Sequence, residues 1–456
     1  MSNAALDALC RRIEDWERRV RDRPVSPRMS DETLRARLDR YDFVRPRALE
    51  EMVVDIADLL EQANMHTTHP RYFGLFNPGV KRAGVVADTL AAAYNPQVGA
   101  RWHAPATGDI EQRTLDHLRK RIGYPAGETS ASFTTGGSEA NLVGVLAGLS
   151  RACPRHADEG LAGIRPVFYA SDQAHDSFVK IAHITGLGRR AFRRVRSDAR
   201  RRLDVEDLRR AIARDRAAGL APFLVVATVG TTASGAIDPA AELADVCRAE
   251  GLWLHADAAW GGLALLSDAL RPHVAGVELA DSITWDAHKS LPVPMGAGMF
   301  FSRWPRHAEA AFAVTTAYIP DHDEVANYQR TIQWSRRSIG MKVFFTLAEL
   351  GQAGVAAMID HQAAMGRLLR EELAAAGWRV TNDSPLPLVC FARDGVRADA
   401  VARAVCDEGV AWISDVRLAD GNHWLRACIT HHETSPEDVR LMVAAANRAA
   451  RAARGA

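Results

Sequence analysis

The segment Asp286-Ala287-His288-Lys289-Ser290, read with His255-Ala256-Asp257-Ala258-Ala259 upstream, carries most of the information about fold and chemistry. Asp257 closes one apolar run, and Lys289 follows a second one. Because such runs predict neighbouring strands, we expect the carboxylate and the amine at adjacent strand ends. Pyridoxal phosphate needs an amine for a Schiff base and a carboxylate beside its pyridine nitrogen. A lysine after a strand is more often a solvated loop residue, so further motifs must decide between the two interpretations.

Length and composition indicate a globular protein. The 456 residues can bury a large core and predict two domains, or one large domain with appendages. With 57 Lys and Arg against 56 Asp and Glu, the net charge of +1 gives no general attraction to nucleic acid. Six scattered cysteines show no metal-ligand spacing and predict reduced thiols of a cytosolic protein. They are Cys10, Cys153, Cys247, Cys390, Cys406 and Cys428.

The N-terminal part, residues 1–68, predicts a helical segment. Apolar residues recur at helical spacing in 5–22 and in 48–62, with a proline-punctuated connector between them. A second subunit is the simplest cover for these faces and favours a homodimer, although packing on the chain's own body explains them equally well. The segment lacks the apolar centre of a signal peptide, and no stretch approaches the roughly 20 apolar residues of a membrane span. We therefore expect a cytoplasmic protein without a membrane partner.

A glycine pair before an apolar helix predicts an anion site. In Thr135-Gly136-Gly137-Ser138-Glu139-Ala140-Asn141 the glycines allow backbone N–H groups to approach an anion, and Ser138 adds a hydroxyl. A plain turn or helix N-cap gives the same pattern.

Residues 69–350 predict a large domain with a mainly parallel α/β sheet. Short apolar runs alternate with helical patterns, which is typical of strands buried on both faces. The runs are 167–170, 223–228, 252–256, 282–285 and 298–301. Ligands of such sheets bind at the carboxyl ends of the strands. The candidate residues at these ends are His175, Thr232, Asp257 and Lys289.

Two further regions complete the chain. Residues 302–335 are polar and predict a long loop of the kind that is usually functional. Residues 351–456 predict a small α+β domain, with strands near 378–380, 388–391, 411–414 and 424–429. The arginine-rich stretch 189–216 contains alternating acids, which favours a solvated helix face over a polyanion site.

From about residue 69 to 429 the chain resembles the group II pyridoxal-phosphate amino acid decarboxylases, the family of aromatic-L-amino-acid decarboxylase and its bacterial relatives. The matching motifs follow in the family's order: 135–141, Ser171-Asp172-Gln173-Ala174-His175, Ala227-Thr228-Val229-Gly230-Thr231-Thr232 with Asp238, 255–259 and 286–289. The resemblance implies fold type I, the PLP-dependent transferase-like fold. It also implies pyridoxal 5'-phosphate as the cofactor.

The resemblance implies a role for each matching residue. On the phosphate side it implies contacts from Gly137 and Ser138 of the glycine motif, and from His288.

On the ring side it implies a Schiff base on Lys289 and a pyridine-nitrogen carboxylate in Asp257. His175 would stack on the ring, Thr232 would contact it, and Ala259 would lie beneath it.

Two places depart from the family pattern. Aromatic-specific members carry a Tyr-Phe-Pro-Thr-like stretch where this chain has Leu75-Phe76-Asn77-Pro78. The family's mobile loop supplies a tyrosine as proton donor, for which Tyr328 is the best match. Its spacing to the Arg336-Arg337 pair requires a gap, and Tyr318 is the alternative.

The resemblance implies decarboxylation of a small-molecule L-amino acid to an amine and CO2, with Lys289, Asp257, His175 and Tyr328 as catalytic residues. An aromatic substrate is one option. Its pocket would draw on Leu75, Phe76, Trp102, Trp334 and Trp424. An aldehyde synthase and an aminotransferase stay open, the latter with Arg426 as a conceivable carboxylate ligand. Retention of Lys289, Asp257, His175 and Ser138 together disfavours a non-catalytic binding homologue.

Overall fold

The computed structural model describes residues 4–26, 28–127, 129–314, 326–418 and 421–455. The α-helices are α1 (Ala4–Arg19), α2 (Asp31–Leu38), α3 (Leu49–Ala63), α4 (Arg82–Tyr94), α5 (Pro105–Ile122), α6 (Gly137–Ala152), α7 (His156–Glu159), α8 (Ser177–Ile184), α9 (Val205–Ala217), α10 (Ala240–Glu250), α11 (Ala287–Ser290), α12 (Pro305–Phe312), α13 (Gly340–Ala375), α14 (Ala398–Glu408) and α15 (Pro436–Gly455). Short 3-10 helices lie at Val20–Asp22, Arg189–Ala191, Gly261–Leu266, Arg271–Val274, Val277–Leu279 and Asn327–Gln329.

The strands form two sheets. They are β1 (Ser130–Thr134), β2 (Pro166–Ser171), β3 (Phe192–Val195), β4 (Ala221–Thr228), β5 (Trp253–Asp257), β6 (Ser282–Asp286), β7 (Gly298–Ser302), β8 (Arg379–Val380), β9 (Leu388–Ala392), β10 (Ser414–Arg417) and β11 (His423–Cys428). The larger sheet has the order β1-β7-β6-β5-β4-β2-β3, and the smaller has the order β10-β11-β9-β8. In the larger sheet β3, β2, β4, β5 and β6 run parallel, whereas β7 is antiparallel to both of its neighbours.

Both faces of the larger sheet are buried, as its continuous apolar strands predict. Along β4, Val225 and Ala227 pack into the core that includes α5, α9 and α10. Leu224 and Val226 face the opposite core, which α6 and α8 help to form. Helices on both faces leave the carboxyl edge of the strands as the open side of the sheet.

The C-terminal region packs around the smaller sheet. Its own apolar core combines α14, α15, β9, β11 and the second half of α13. Helix α13 breaks at Gly351, whose φ is 62° and ψ is 172°. This break lies beside the expected boundary at residue 350, although the domain limits themselves stay a prediction.

Most predicted strands of the larger sheet are confirmed to within one or two residues. The structure adds one helix to the N-terminal segment and differs from two other expectations. The connector of the N-terminal segment contains α2, the predicted loop 302–335 contains α12, and the strand expected at 411–414 lies at 414–417. Ser30, whose hydroxyl accepts from Thr33 N–H, starts the first of these helices, and Pro305 starts the second.

Among the described residues one helix is long and apolar enough to cross a membrane, by length and composition alone. The sequence had predicted no stretch of this kind. This helix is α13, with a mean hydropathy of 1.3 over its most apolar window. The helix packs against α4, α5 and α15, and its Val343, Val355 and Ile359 are buried in the protein core. Core helices meet the same criteria, so the absence of a membrane partner stays a prediction.

Candidate cofactor site

The carboxyl ends of β1, β4, β5 and β6 meet around one cavity. Thr228 and Asp257 are paired across β4 and β5, which places both at this edge. The cavity has a volume of about 280 Å³, near the lower end of the range for small-molecule sites. Its lining consists of Phe76, Thr135, Gly136, Gly137, Ser138, Glu139, Asn141, His175, Thr228, Gly230, Thr232, Asp257, Ala259, Trp260, Asp286, His288 and Lys289. Every cofactor-binding residue expected from sequence is in this set.

Lys289 lies on the short helix α11, directly after β6. Its Nζ is 2.9 Å from Oδ2 of Asp286, a carboxylate that is only 1% exposed. Burial lowers the pKa of Lys289, but the carboxylates of Asp286 and Asp257 raise it, and the balance lies above the ordinary lysine value. The amine is therefore held as an ammonium between two carboxylates.

Asp257 ends β5 as a buried carboxylate with two fixed donors. Its Oδ2 accepts from Asn141 Nδ2 at 3.0 Å, and its Oδ1 accepts from the backbone N–H of Ala259 at 3.2 Å. A carboxylate offers about four lone-pair positions, so one more donor can bind. That capacity suits a protonated pyridine nitrogen.

The glycine motif forms the start of α6, as expected. A Cβ at Gly137 would lie 2.8 Å from Asp286 Oδ2 and 3.2 Å from the methyl carbon of Ala259, so no larger residue fits here. The first-turn N–H groups and the exposed Ser138 face the cavity end that His288 also lines. His288 Nδ1 accepts from Ala297 N–H at 3.1 Å, which leaves Nε2 as the protonated nitrogen of the neutral ring. These donors fit a phosphate group.

His175 and Thr232 stand at the mouth of the cavity. His175 is exposed, and its Nδ1 accepts a hydrogen bond from the backbone N–H of Ser177 at 3.1 Å. This hydrogen bond restricts the orientation of the imidazole ring. Thr232 is half-buried, and its carbonyl accepts from Arg426 Nε at 2.7 Å. Both positions are compatible with contacts to a bound ring.

Several lining residues were not assigned a role from sequence. Asn141 and Asp286 belong to the recognised motifs. Asn141 contacts Asp257, which is distant in the chain, whereas Asp286 contacts Lys289 three residues later. Thr228 presents a buried Oγ1 that has no hydrogen-bond partner among the described residues. Trp260 stacks on Phe76, which the sequence had already made a pocket candidate. Their ring centroids are 4.5 Å apart, and the pair forms an apolar wall.

Of the five aromatic-pocket candidates, the cavity includes Phe76 alone. Leu75 and Trp102 are largely exposed, and Trp424 is buried beneath the guanidinium of Arg201. Trp334 stacks elsewhere, on the ring of Tyr328.

Tyr328 does not line this cavity. It is buried with Ala100 and Ala326, its N–H donates to Gly99 O at 3.0 Å, and its ring lies 4.7 Å from that of Trp334. This part of the loop packs on residues 97–100. Its role as proton donor stays a prediction. The alternative, Tyr318, lies outside the described residues.

Comparison with known proteins identifies the family. A family model described as the pyridoxal-dependent decarboxylase conserved domain matches residues 32–393. The chain is 32% identical over 398 residues to the aromatic-L-amino-acid decarboxylase of Bacillus atrophaeus, covering 83% of this chain and 79% of that protein. It is 30% identical over 336 residues to the acidic amino acid decarboxylase GADL1 of Bos taurus, covering 72% of this chain. That match spans 64% of the bovine protein, less than two thirds of its length.

Solved structures agree on the fold. The crystal structure of mouse CSAD has a TM-score of 0.92 at 24% identity and covers 98% of both chains. The structure of Oryza sativa TDC with PLP and tryptamine has a TM-score of 0.92 at 24% identity, covering 99% of this chain and 97% of that one. The fold type I architecture and the cofactor class expected from sequence are thus confirmed, and the chain belongs to the pyridoxal-dependent decarboxylase family.

Proposed function

We propose that this chain is a PLP-dependent carboxy-lyase that converts an L-amino acid to the corresponding amine and CO2. The observation that carries the proposal is the meeting of Lys289, Asp257 and the glycine cradle in one cavity. The named activities of the relatives, on aromatic, acidic and cysteine sulfinic amino acids, support the reaction class.

Several residues of the cavity would have a part in this reaction. Lys289 would hold the cofactor through Nζ, while Gly137, Ser138 and His288 would bind its phosphate. The bound cofactor supplies an electron-accepting ring that stabilises the charge left at Cα when CO2 departs. Asp257 would hold a proton at the ring nitrogen, because a buried carboxylate favours a cation beside it.

Substrate orientation decides which bond breaks. Decarboxylation requires the bond from Cα to the carboxylate to stand perpendicular to the ring plane. His175 at the mouth and Phe76 on the wall would restrict rotation of the ring and of the substrate. They would also exclude water from the reacting carboxylate. Without water a localised carboxylate charge is less stable than a charge spread over the ring, which favours the loss of CO2.

Arg426 supplies a cation beside the cavity wall. Its guanidinium carbon is 5.1 Å from the ring centroid of Phe76, and its Nη1 donates to Gly74 O at 2.7 Å. Its buried Nη2 has no hydrogen-bond partner among the described residues. Such an N–H fits a substrate carboxylate, whereas the stack of Phe76 on Trp260 fits an apolar side chain.

Product analysis tests the proposed function. Purified protein loaded with PLP is supplied in turn with the common amino acids and cysteine sulfinate, and CO2, amine, aldehyde and keto acid are measured. Amine formed one-for-one with CO2 is expected for at least one substrate. Keto acid without CO2 would assign an aminotransferase, aldehyde in place of amine would assign an aldehyde synthase, and no turnover with any of them would contradict catalysis.

We also propose that the chain forms a homodimer through its N-terminal helices. Helices α1 and α3 are joined by ion pairs of Arg12 with Asp58 and Glu61. Their outer faces leave large apolar residues exposed, namely Leu6, Leu9, Leu49, Val54 and Leu60. Light scattering on the purified protein should give twice the mass of the 49.8 kDa chain. A single-chain mass at micromolar concentration would contradict the proposal.

A further inference from the structure

A second histidine, His255, lies behind the cofactor site and has no part in the reaction described above. It is in the middle of β5 and is completely buried. Its Nδ1 is 2.8 Å from Ser282 Oγ, and its Nε2 is 3.0 Å from Asn141 Oδ1. Asn141 in turn donates from Nδ2 to Asp257. His255 is therefore connected to the candidate pyridine-nitrogen carboxylate through one side-chain amide.

The two ends of this chain together determine the direction of its hydrogen bonds. Trp253 Nε1, which can only donate, lies 2.8 Å from Ser282 Oγ. The serine oxygen could accept a second hydrogen bond, so the other end of the chain decides. The Asp257 carboxylate can only accept, which turns the Asn141 amide nitrogen toward it and the amide oxygen toward His255 Nε2. His255 Nδ1 is then the acceptor of the serine hydroxyl. The ring proton of the neutral histidine is on Nε2 and is donated to the Asn141 carbonyl oxygen, so the four donors point the same way.

The histidine is held as a neutral ring. Burial lowers its pKa to about 4, although Asp257 acts in the opposite direction. Thr284 Oγ1 lies 3.3 Å from Nε2, and its oxygen can accept from the same ring proton. Both contacts of Nε2 thus agree with the Nε2–H tautomer.

Packing leaves the ring no alternative position. A Cβ at Gly144 would lie 2.5 Å from both Cε1 and Nδ1 of His255, so the imidazole rests directly on the backbone of α6. Phe178 covers another side at 6.4 Å between centroids, edge-to-face. Asn141 precedes Gly144 by one helical turn, so the same face of α6 supplies the space for the ring and its amide partner.

We propose that Trp253, Ser282, His255 and Asn141 form a one-way hydrogen-bond relay that keeps Asp257 a pure acceptor toward the cofactor's ring nitrogen. Asn141 and His255 are positioning residues, since they act through Asp257. The inference rests on the proposed function, in which Asp257 faces that nitrogen. Without the relay the Asn141 amide would be held only through Nδ2, by Asp257 and by Ser177 Oγ at 3.4 Å, and its carbonyl oxygen would lose its donor.

Cofactor binding and ring-nitrogen protonation test the relay without any assay of turnover. The full-length protein is stripped of cofactor and titrated with PLP labelled with nitrogen-15 in the ring. For Asn141→Leu we expect the affinity for PLP to fall about tenfold or more, which is the usual effect of removing a hydrogen bond to a charged group. The nitrogen-15 signal should move toward that of the unprotonated ring. Ser282→Ala removes a hydroxyl at the end of the relay that is distant from Asp257. It should lower the PLP affinity and shift the nitrogen-15 signal in the same directions, by smaller amounts.

Two control variants separate the relay from general packing. His255→Gln retains an N–H that can donate to Asn141 and should stay within about threefold of wild-type affinity. Val145→Ala removes buried volume one turn along α6 with no polar contact, and should lower the melting temperature but leave both readouts unchanged. Wild-type values in Asn141→Leu, or equal losses in Val145→Ala, would overturn the relay.

A measurement on the cofactor-free protein keeps the test independent of the proposed function. Histidine nitrogen-15 spectra, with the His255 signals assigned from their loss in His255→Gln, should show the neutral Nε2–H tautomer. An imidazolium or an Nδ1–H tautomer would refute the relay. Failure of wild-type protein to bind PLP covalently at Lys289 would instead contradict the proposed function, and would leave the tautomer result standing on its own.

Discussion

At the scale of single residues, the ammonium of Lys289 between two carboxylates is the centre of the site. We predict that Lys289→Ala abolishes covalent PLP attachment and turnover but leaves the fold intact, because the cavity lining is otherwise unchanged. Borohydride reduction followed by peptide mass spectrometry locates the modified lysine, and circular dichroism monitors folding. Modification of a different lysine in the wild-type protein would refute the assignment.

Asp257 gives a second prediction at this scale. Asp257→Asn keeps the shape of the side chain but removes the charge that holds a proton on the ring nitrogen. We expect turnover to fall by about two orders of magnitude or more, and Asp257→Ala to weaken cofactor binding as well. Turnover is measured at saturating PLP to separate the two effects. An asparagine variant with nearly wild-type turnover would exclude the role.

At the scale of elements, the break of α13 at Gly351 occupies a backbone region that is nearly restricted to glycine. Its φ of 62° and ψ of 172° would strain any side chain. We predict that Gly351→Ala lowers the free energy of unfolding by about 1–3 kcal/mol in denaturant titrations. Gly354→Ala, in the regular helix three residues later, should be neutral or stabilising. Equal effects of both substitutions would show that the break is not required.

The loop between α12 and α13 gives a prediction about proton delivery. A phenol that protonates Cα after CO2 leaves would be removed by Tyr→Phe, so such a variant should release CO2 but form less amine. We expect this result for Tyr318→Phe or Tyr328→Phe, measured as the ratio of amine to CO2. The buried stack of Tyr328 on Trp334 favours a packing role for that residue, and would lead to lower stability with an unchanged ratio. A ratio of one in both variants would exclude a tyrosine donor in this loop.

Sequence predicts elements well where one property dominates. Strands β4, β5 and β6 are apolar along their whole length, and their burial on both faces follows directly. Strand β3, with the sequence Phe192-Arg193-Arg194-Val195, was not predicted because its two arginines interrupt the apolar pattern. In the structure they form ion pairs with Asp215 and Asp176 at the surface. Strand β1 was not predicted because three of its five residues are serine or threonine, so it lacks an apolar run.

The candidate site divides in the same way. Motif residues such as Lys289 and Gly137 were found because their chemistry is local in sequence. The contact of Asn141 with Asp257 joins residues 116 positions apart, so only the fold reveals it.

At the scale of the whole molecule, buried histidines predict acid sensitivity. Burial lowers the pKa of His69 and His255 to about 4 and that of His431 to about 3, against an ordinary value of 6.5. The unfolded chain therefore binds more protons below pH 6.5, and the stability present above that pH is lost as the pH falls toward 4. For His255 alone the loss is about 3 kcal/mol. Burial raises the pKa of Asp238 to about 7, so this carboxyl binds a proton more readily in the folded protein. It therefore offsets part of the loss of stability between pH 7 and 4.

Urea unfolding at pH 7, 5.5 and 4.5 measures this dependence. The free energy of unfolding should fall at each step, and His255→Gln should show a shallower slope than wild type. A free energy that is constant or rises on acidification would contradict the assignment of these rings as neutral.

The position of β1 also bears on how the protein is made. In the described sheet β1 lies at one edge and pairs with β7 alone, although about 160 residues of chain separate the two strands. A ribosome delivers β4, β5 and β6 before it delivers the strand on which β1 must dock. Until then β1, which leads into the phosphate cradle, has no strand to pair with, and only the packing of α6 on β4, β5 and β6 can hold the cradle. We therefore expect the cradle to reach its final position late, after residue 302 has emerged and β7 has joined the larger sheet.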